Sequence, residues 1–357
     1  MSDSSSPRTP TGDPGGRSGV RETFTEDPIS EQPAASPPEK SSVPLASPNS
    51  RTVRPGDRIF QFLTTGAGVF VVALIGLIGL FLLVQAIPAL QADNASFLTS
   101  QVWQTDPGDM RFGIMGLLLV TVYSSLLALV IAMPISLGIA LFLTQYAPKR
   151  LARSFAYVID LLAAVPSIIY GLWGLMVFAP TIEPFSQWVN DTFSWIPIFA
   201  AGNVSPDMRG TIFTAGIVLA VMILPIITSL SREVFERTPT PHIEGALALG
   251  ATRWEVIRTT VLPFGKAGYI GASMLGLGRA LGETIALAII LTGAVGREFT
   301  WSLFDGGATF ASKIAADYAE LNNEISAGAY IAAGLVLFLL TFVVNFAARS
   351  IIAKKGD

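Results

Sequence analysis

Arg279 and Glu283 stand four residues apart in the segment GLGRALGETIALAII, with apolar or small residues on both sides. An arginine at the centre of a membrane helix costs roughly 2.5–3.5 kcal/mol on insertion scales, so charged residues kept there must face a bundle interior or a water-filled path. On one continuous helix, positions i and i+4 share a face and can pair. Two roles suit the pair. The planar guanidinium can bind an oxyanion transiently while the carboxylate holds it between ions and limits its affinity. Alternatively, the two form a buried ion pair that only fixes helix register. On the physics of the residues alone the two readings stand level. Gly276, Gly278, Ala280 and Gly282 are small enough for a second helix to approach closely, and Gly278-x-x-x-Gly282 is a common packing spacing.

Other chemistries are excluded by what the chain lacks. Its 357 residues include no cysteine and one histidine, His242, which removes disulfides, thiolate metal sites, a cysteine nucleophile and any site needing two imidazoles. A Ser–His hydrolase within the bilayer would need its histidine at membrane depth, and His242 lies in a segment read as cytoplasmic. No G-x-x-x-x-G-K-[ST] motif is present, so the chain does not cradle nucleotide phosphates. The basic residues form short clusters between apolar stretches, leaving no nucleic-acid footprint.

The elements that position the pair are membrane helices. Hydrophobic residues make up 51% of the chain and charged residues 14%, a balance that turns the reading away from soluble domains. Residues 1–54, rich in Ser, Pro and Gly, bury too little apolar surface to order and read as a disordered cytoplasmic tail. The membrane domain covers 55–353. Apolar runs exceeding the roughly 20 residues that cross a bilayer predict six spans. These are 62–86, 112–146 with Pro134, 154–179 with Asp160 and Pro166, 211–229 with Pro225, 267–294 with the charged pair, and 325–348. The fold class is therefore all-α and polytopic. Arg51, Arg54, Arg58, Lys149, Arg150, Arg153, Arg232, Arg237, Arg253, Arg258, Lys266, Arg349, Lys354 and Lys355 all fall on one side. That bias puts both termini in the cytoplasm of a cell-membrane protein.

Between spans three and four, Phe185, Trp188, Val189, Trp195 and Ile196 suit the headgroup level, and Phe310, Ile314, Tyr318 and Leu321 predict a short external helix. Both features read as interfacial anchors, with docking of an external protein as the alternative. Ser167 and Tyr170, beside the Pro166 kink, either satisfy local backbone or offer hydroxyls to a passing anion. Asp160 is expected to pair with Arg153.

The cytoplasmic loop 232–266 carries more structure than a loop needs. Thr240 with Pro241 starts a helix that Gly250 stops, and Thr252 with Glu255 forms the capping box of a second helix, which Pro263 ends or kinks. The spacing Glu244, Ala246, Gly250, Leu262, Pro263 resembles the EAA loop of binding-protein-dependent ABC importer permeases. Gly245 replaces the first alanine of that pattern and Thr260 its usual isoleucine, changes that leave the corner intact. The resemblance implies a type I ABC importer permease fold, with this loop (Glu244, Ala246, Gly250) docking into a separate ATPase subunit.

G-R-A-L-G-E-T resembles the matching segment of phosphate-specific permeases of the PstC and PstA type, as do 161–175 and 131–148 for the PstC type. That likeness implies that Arg279 and Glu283 act in passage of inorganic phosphate. It further implies no cofactor beyond ATP on partner subunits, and a PstA-type second permease, two PstB-type ATPases and a PstS-type binding protein as partners in the lipid membrane. Sulfate or molybdate importers share such loops and stay open, as does an ATP-independent secondary carrier, although no internal symmetry between spans one to three and four to six favours a carrier.

Overall fold

The computed structural model describes residues 55–106, 109–204, 209–291, 298–320 and 324–353, and the chain divides into two units, Met1–Gln61 and Phe62–Asp357. Of the first unit, only Pro55–Gln61 is described. The expected tail (1–54), Arg297, Leu321 and the basic residues Lys354 and Lys355 lie outside the described residues.

The fold is all-α apart from one hairpin. Its helices are α1 (Pro55–Ala92), α2 (Met115–Leu141), α3 (Lys149–Ala163), α4 (Ser167–Trp173), α5 (Ala179–Phe193), α6 (Ile212–Glu236), α7 (Thr240–Ala248), α8 (Arg253–Val256), α9 (Leu262–Leu281), α10 (Ile285–Ile290), α11 (Phe310–Asp317) and α12 (Glu324–Ala353). Strands β1 (Trp103–Asp106) and β2 (Asp109–Phe112) pair antiparallel, Trp103 opposite Phe112. Single π-turns at Phe142–Tyr146, Gly174–Phe178 and Ile257–Val261 extend α2, join α4 to α5 and join α8 to α9.

Among the described residues, five helical segments are long and apolar enough to cross a membrane, against six expected: Gly56–Ala92, Met115–Tyr146, Ser167–Phe193, Ile212–Glu236 and Ile325–Ala348. Two expectations change. The third span is not 154–179 but Ser167–Phe193, because Pro166 supplies no N–H and turns Val165 away from helix, so that α3 ends at Ala163 as a separate amphipathic helix. The fifth, expected as one helix over 267–294, is α9 followed by a break at Gly282–Thr284 and then α10.

The centre of the bundle is α6. Ile212, Leu219, Met222, Ile223, Ile227 and Phe235 are fully buried on it, against α2 on one side and α9 on the other. Lipid tails are as apolar as these side chains, so close packing has to hold the helices together. Backbone-bonded hydroxyls serve that end: Thr121 and Ser124 donate to the Leu117 and Val120 carbonyls at 2.6 and 2.7 Å, and Thr228 donates to the Leu224 carbonyl at 2.7 Å, so these three hydroxyls are satisfied within their own helices.

On the side opposite the α7–α8 corner, two distant loops are tied by one residue. Asp305, completely buried, accepts from the Asn203 N–H (2.9 Å), the Thr300 N–H and hydroxyl (both 2.8 Å) and the Ser302 N–H (3.1 Å). Asn203 returns the tie by accepting from the Gly306 N–H at 2.8 Å, and the Ile212 N–H donates to the Asp305 carbonyl at 2.7 Å. Within this knot Trp301 is held at φ +67°, a left-handed conformation that a bulky side chain rarely adopts, and its ring meets Phe299 and Tyr123 edge-on. The expected external helix is α11, started by a Thr309–Ser312 capping box and moored to α2 where the Phe310 N–H donates to the Thr121 hydroxyl at 3.2 Å.

Candidate functional site

Arg279 sits in the last turn of α9 and Glu283 in the break beyond it. The expected pairing of the two is absent. Four-residue spacing joins side chains only when the helix continues between them, and here α9 closes at Leu281. Glu283, 7% exposed, turns instead to the next helix, where its carboxyl accepts from the Ala286 N–H at 3.1 Å. It satisfies one of the orphan donors that any helix start leaves open. Arg279 is exposed within this chain and has no hydrogen bond or ion pair among the described residues. With no partner among the described residues, this guanidinium is left to water, an anion or another chain.

Helix α4 forms the facing wall. A Cβ on Gly171 would come within 2.8 Å of the Ala286 Cα, so only glycine permits α4 to lie this close to the start of α10. Next to it, Tyr170 is buried and lies within the electrostatic reach of Arg279. Its hydroxyl donates to the Leu162 carbonyl at 2.9 Å, the group that Pro166, four residues on, deprives of its helical donor. Of the two roles open to Tyr170, backbone satisfaction is the one it fills here. Ser167 lies beside it, half-buried and without a hydrogen bond among the described residues. Asp160 does not pair with Arg153: its carboxyl accepts from the Ser229 hydroxyl at 2.8 Å, which joins α3 to α6.

The small residues around Arg279 divide between two faces. Gly276 lies against Ile227 of α6, where a Cβ would come within 2.7 Å, and Ala280 is buried. A Cβ on Gly278 would meet nothing within 4 Å, so the Gly278-x-x-x-Gly282 spacing is not used within this chain.

The corner at the other end of α9 follows its local sequence. Helix α7 begins at Thr240 with Pro241 in its first turn, and Gly250 takes φ +86°, the left-handed conformation that ends a helix without penalty only in glycine. Thr252 and Glu255 form the capping box: the Thr252 N–H and hydroxyl both donate to the Glu255 carboxylate, at 2.7 and 2.9 Å. Those bonds hold the Glu255 carboxyl below the usual carboxylate range. A depressed folded pKa contributes stability above the unfolded value and loses it as pH falls through the folded value. Glu255→Ala is therefore expected to lower the protection factor of the Thr252 amide at neutral pH, measured by hydrogen exchange against the intrinsic rate at each pH, a loss of protection that the wild-type chain shows only on acidification. Pro263 does not end the second helix. α8 runs through the π-turn into α9, and the extra residue in that turn accommodates the carbonyl the proline leaves unpaired. Glu244, Leu247 and Leu249 are exposed on the corner and Ala246 is half-buried, with Leu249 91% exposed, and Trp254 is exposed beside them.

Sequence reasoning placed Arg279 and Glu283 together but missed the break that separates them. Gly282 followed by Glu283 and Thr284 is a helix-stop residue followed by helix-start residues, and that order was the available signal.

Residues 132–355 match the family described as binding-protein-dependent transport system inner membrane component. Among curated proteins, the chain is similar to the phosphate transport system permease protein PstC 2 of Mycobacterium tuberculosis, 55% identical over 312 residues that cover 87% of this chain and 96% of that one. The PstC protein of Mycobacterium leprae is 58% identical over 274 residues, covering 76% and 85% of the two chains. That of Xylella fastidiosa strain Temecula1 is 39% identical over 312 residues, covering 87% and 95%. Among solved structures, an inward-facing form of the MetNI methionine ABC transporter aligns at a TM-score of 0.48 and 18% identity, covering 68% of this chain and 95% of that one.

Proposed function

Because the chain belongs to the binding-protein-dependent transport system inner membrane component family, and within it to the PstC-type permeases, we infer that it is the membrane-spanning permease subunit of an ATP-driven phosphate importer. The observation that carries this reading is 55% identity to a PstC protein over 87% of this chain and 96% of that one. The chain is a transporter subunit and a multi-pass membrane protein.

The finer assignments rest on the site. Arg279 gives the phosphate a fork of donors at the end of α9, and Glu283, committed to the start of α10, is the carboxylate that limits the residence of an anion there. A weak site suits transport, since an ion that binds tightly does not leave. Glu244, Ala246 and Gly250 form the surface that takes up movement of a separate ATPase subunit, and the exposed Leu247 and Leu249 supply its apolar contact. ATP is bound and hydrolysed on two such subunits, a PstA-type permease completes the path, and a PstS-type binding protein delivers phosphate from outside. Closure of the ATPases opens the path outward and hydrolysis returns it inward, an exchange between two states of the same bundle. Both chain termini face the cytoplasm, with the basic residues of the α7–α8 corner.

Gly250→Val tests the coupling assignment. A β-branched residue cannot hold φ +86° without strain of roughly 1–3 kcal/mol, so the corner must re-form in another shape. ATP-dependent uptake is expected to fall on the order of tenfold or more while the chain still reaches the membrane. Unchanged uptake and normal recovery of the ATPase with the permease would remove the corner from the mechanism.

The reading as a whole is tested by radiolabelled phosphate uptake into vesicles holding the complete importer, with and without internal ATP and the binding protein. Accumulation should require both. Uptake indifferent to ATP would point to a secondary carrier, and ATP-dependent uptake of sulfate or molybdate in place of phosphate would keep the architecture and change the cargo.

A further inference from the structure

A groove of about 520 Å³ opens where α2, α6 and the start of α9 meet, at the end of the bundle that carries the α7–α8 corner. Its walls are apolar: Leu137 from α2, Phe235 from α6, and Leu262 and Tyr269 from α9. Its rim carries two cations, Arg258 and Lys266, both exposed and neither with an ion-pair partner among the described residues. These two residues are eight positions apart, a spacing that on an ordinary α-helix leaves them about 80° out of line. The π-turn at Ile257–Val261 inserts one extra residue between them, which makes the effective spacing seven and brings both onto one face. They then stand about 10 Å apart along the axis, within reach of each other's long flexible side chains.

The groove crosses the level at which the apolar segments end. Leu137 belongs to the membrane-crossing segment Met115–Tyr146, and Tyr269 is half-buried with its hydroxyl donating to the Met133 carbonyl of α2 at 2.9 Å, whereas Arg258 lies a full turn before Pro263 on the polar side. An apolar slot that ends in paired, unsatisfied cations at a membrane surface has the chemistry of a two-part ligand: acyl chain in the slot, phosphate on the cations. We propose that this groove is a binding site for an anionic phospholipid of the cytoplasmic leaflet, whose headgroup phosphate is held by Arg258 and Lys266. The site goes beyond phosphate passage, since it lies about 20 Å along α9 from Arg279 and is lined by a different face-set of residues. Both cations sit on the helix that joins the corner to the charged break, so a lipid seated there braces that helix against α2 and α6.

The test uses the complete importer reconstituted in phosphatidylcholine vesicles with a trace of phosphatidylglycerol bearing a photoactivatable acyl chain, and cross-linked peptides are mapped by mass spectrometry. Label is expected on the segment 262–270 and at Leu137. At sub-saturating probe, neutralising one cation is expected to cut labelling about fivefold and Arg258→Gln with Lys266→Gln about thirtyfold. The exchanged pair Arg258→Lys with Lys266→Arg should keep most of it, which separates loss of charge from loss of fold. An excess of inorganic phosphate should not displace the label. Equal labelling by a photoactivatable phosphatidylcholine, or none in this segment, would overturn the proposal. Displacement by inorganic phosphate would overturn it as well and assign the cations to the cargo.

Discussion

Arg279→Gln is expected to cut ATP-dependent phosphate uptake by roughly tenfold to a hundredfold while the importer assembles in normal amount. Hydrogen bonds to charged groups contribute about 1.5–3 kcal/mol each, and glutamine keeps an amide donor on a shorter stem but offers neither charge nor fork. The change should be light on folding, because Arg279 is exposed within its own chain and makes no hydrogen bond or ion pair among the described residues, so nothing in the subunit is left unsatisfied by its loss. Arg279→Lys should fall between the two, retaining charge and losing the bidentate geometry. Glu283→Gln separates the roles further, since an amide oxygen can still accept from the Ala286 N–H while the negative charge is gone. Uptake by Arg279→Gln at the wild-type rate, with normal assembly, would make Arg279 a packing or interface residue and end its assignment to the path.

Asp305→Ala is expected to destabilise the chain by at least about 3 kcal/mol, because a buried donor left without a partner costs about 1–3 kcal/mol and this change strands several. The donors are the Asn203, Thr300 and Ser302 N–H groups and the Thr300 hydroxyl, all bonded to one fully buried side chain. Alanine leaves a void in their place that a water could fill only in part. The expected observation is a melting temperature several degrees lower for the purified chain, with exchange at the Asn203 and Ser302 amides accelerated well before global unfolding. Asp305→Asn should be milder, since it preserves volume and one acceptor. An unaltered melting curve for the alanine variant would mean that the loops are held by their other contacts, such as the Gly306 N–H to Asn203 and Ser302 hydroxyl to Ala200 carbonyl hydrogen bonds.

These two residues mark the limits of what the chain discloses in linear form. The α7–α8 corner was legible because every signal in it is local: proline in the first turn, Gly250 at the stop, and Thr252 and Glu255 three residues apart. Asp305 was not legible, since its partner Asn203 lies 102 positions away and nothing in either loop names the other. The pairing of Arg279 with Glu283 follows from a rule that holds on an unbroken helix, and the break at Gly282–Thr284 voids it. The third span shifted for a related reason. Hydropathy sees no difference between the apolar face of α3 and the beginning of α4, and only the proline between them divides an interfacial helix from a crossing one. Tyr170 was recognised as a hydroxyl beside a kink, and the structure selects its partner, the Leu162 carbonyl that the kink sets free.

From Arg253 to Leu281 the backbone stays helical without a loop. At 1.5 Å per residue this is a strut roughly 40 Å long, with the α7–α8 corner at one end and Arg279 at the other. A strut transmits displacement where a chain of loops would absorb it, so a push taken up at its Arg253 end, as the proposed coupling requires, would reach Arg279 with little loss. The wide turn at Ile257–Val261 is the one place along it with a softer hydrogen-bond ladder, and there the push can become a tilt. If the corner receives the movement proposed for it, the length of that movement is set there and the orientation of Arg279 is set five residues into the rod.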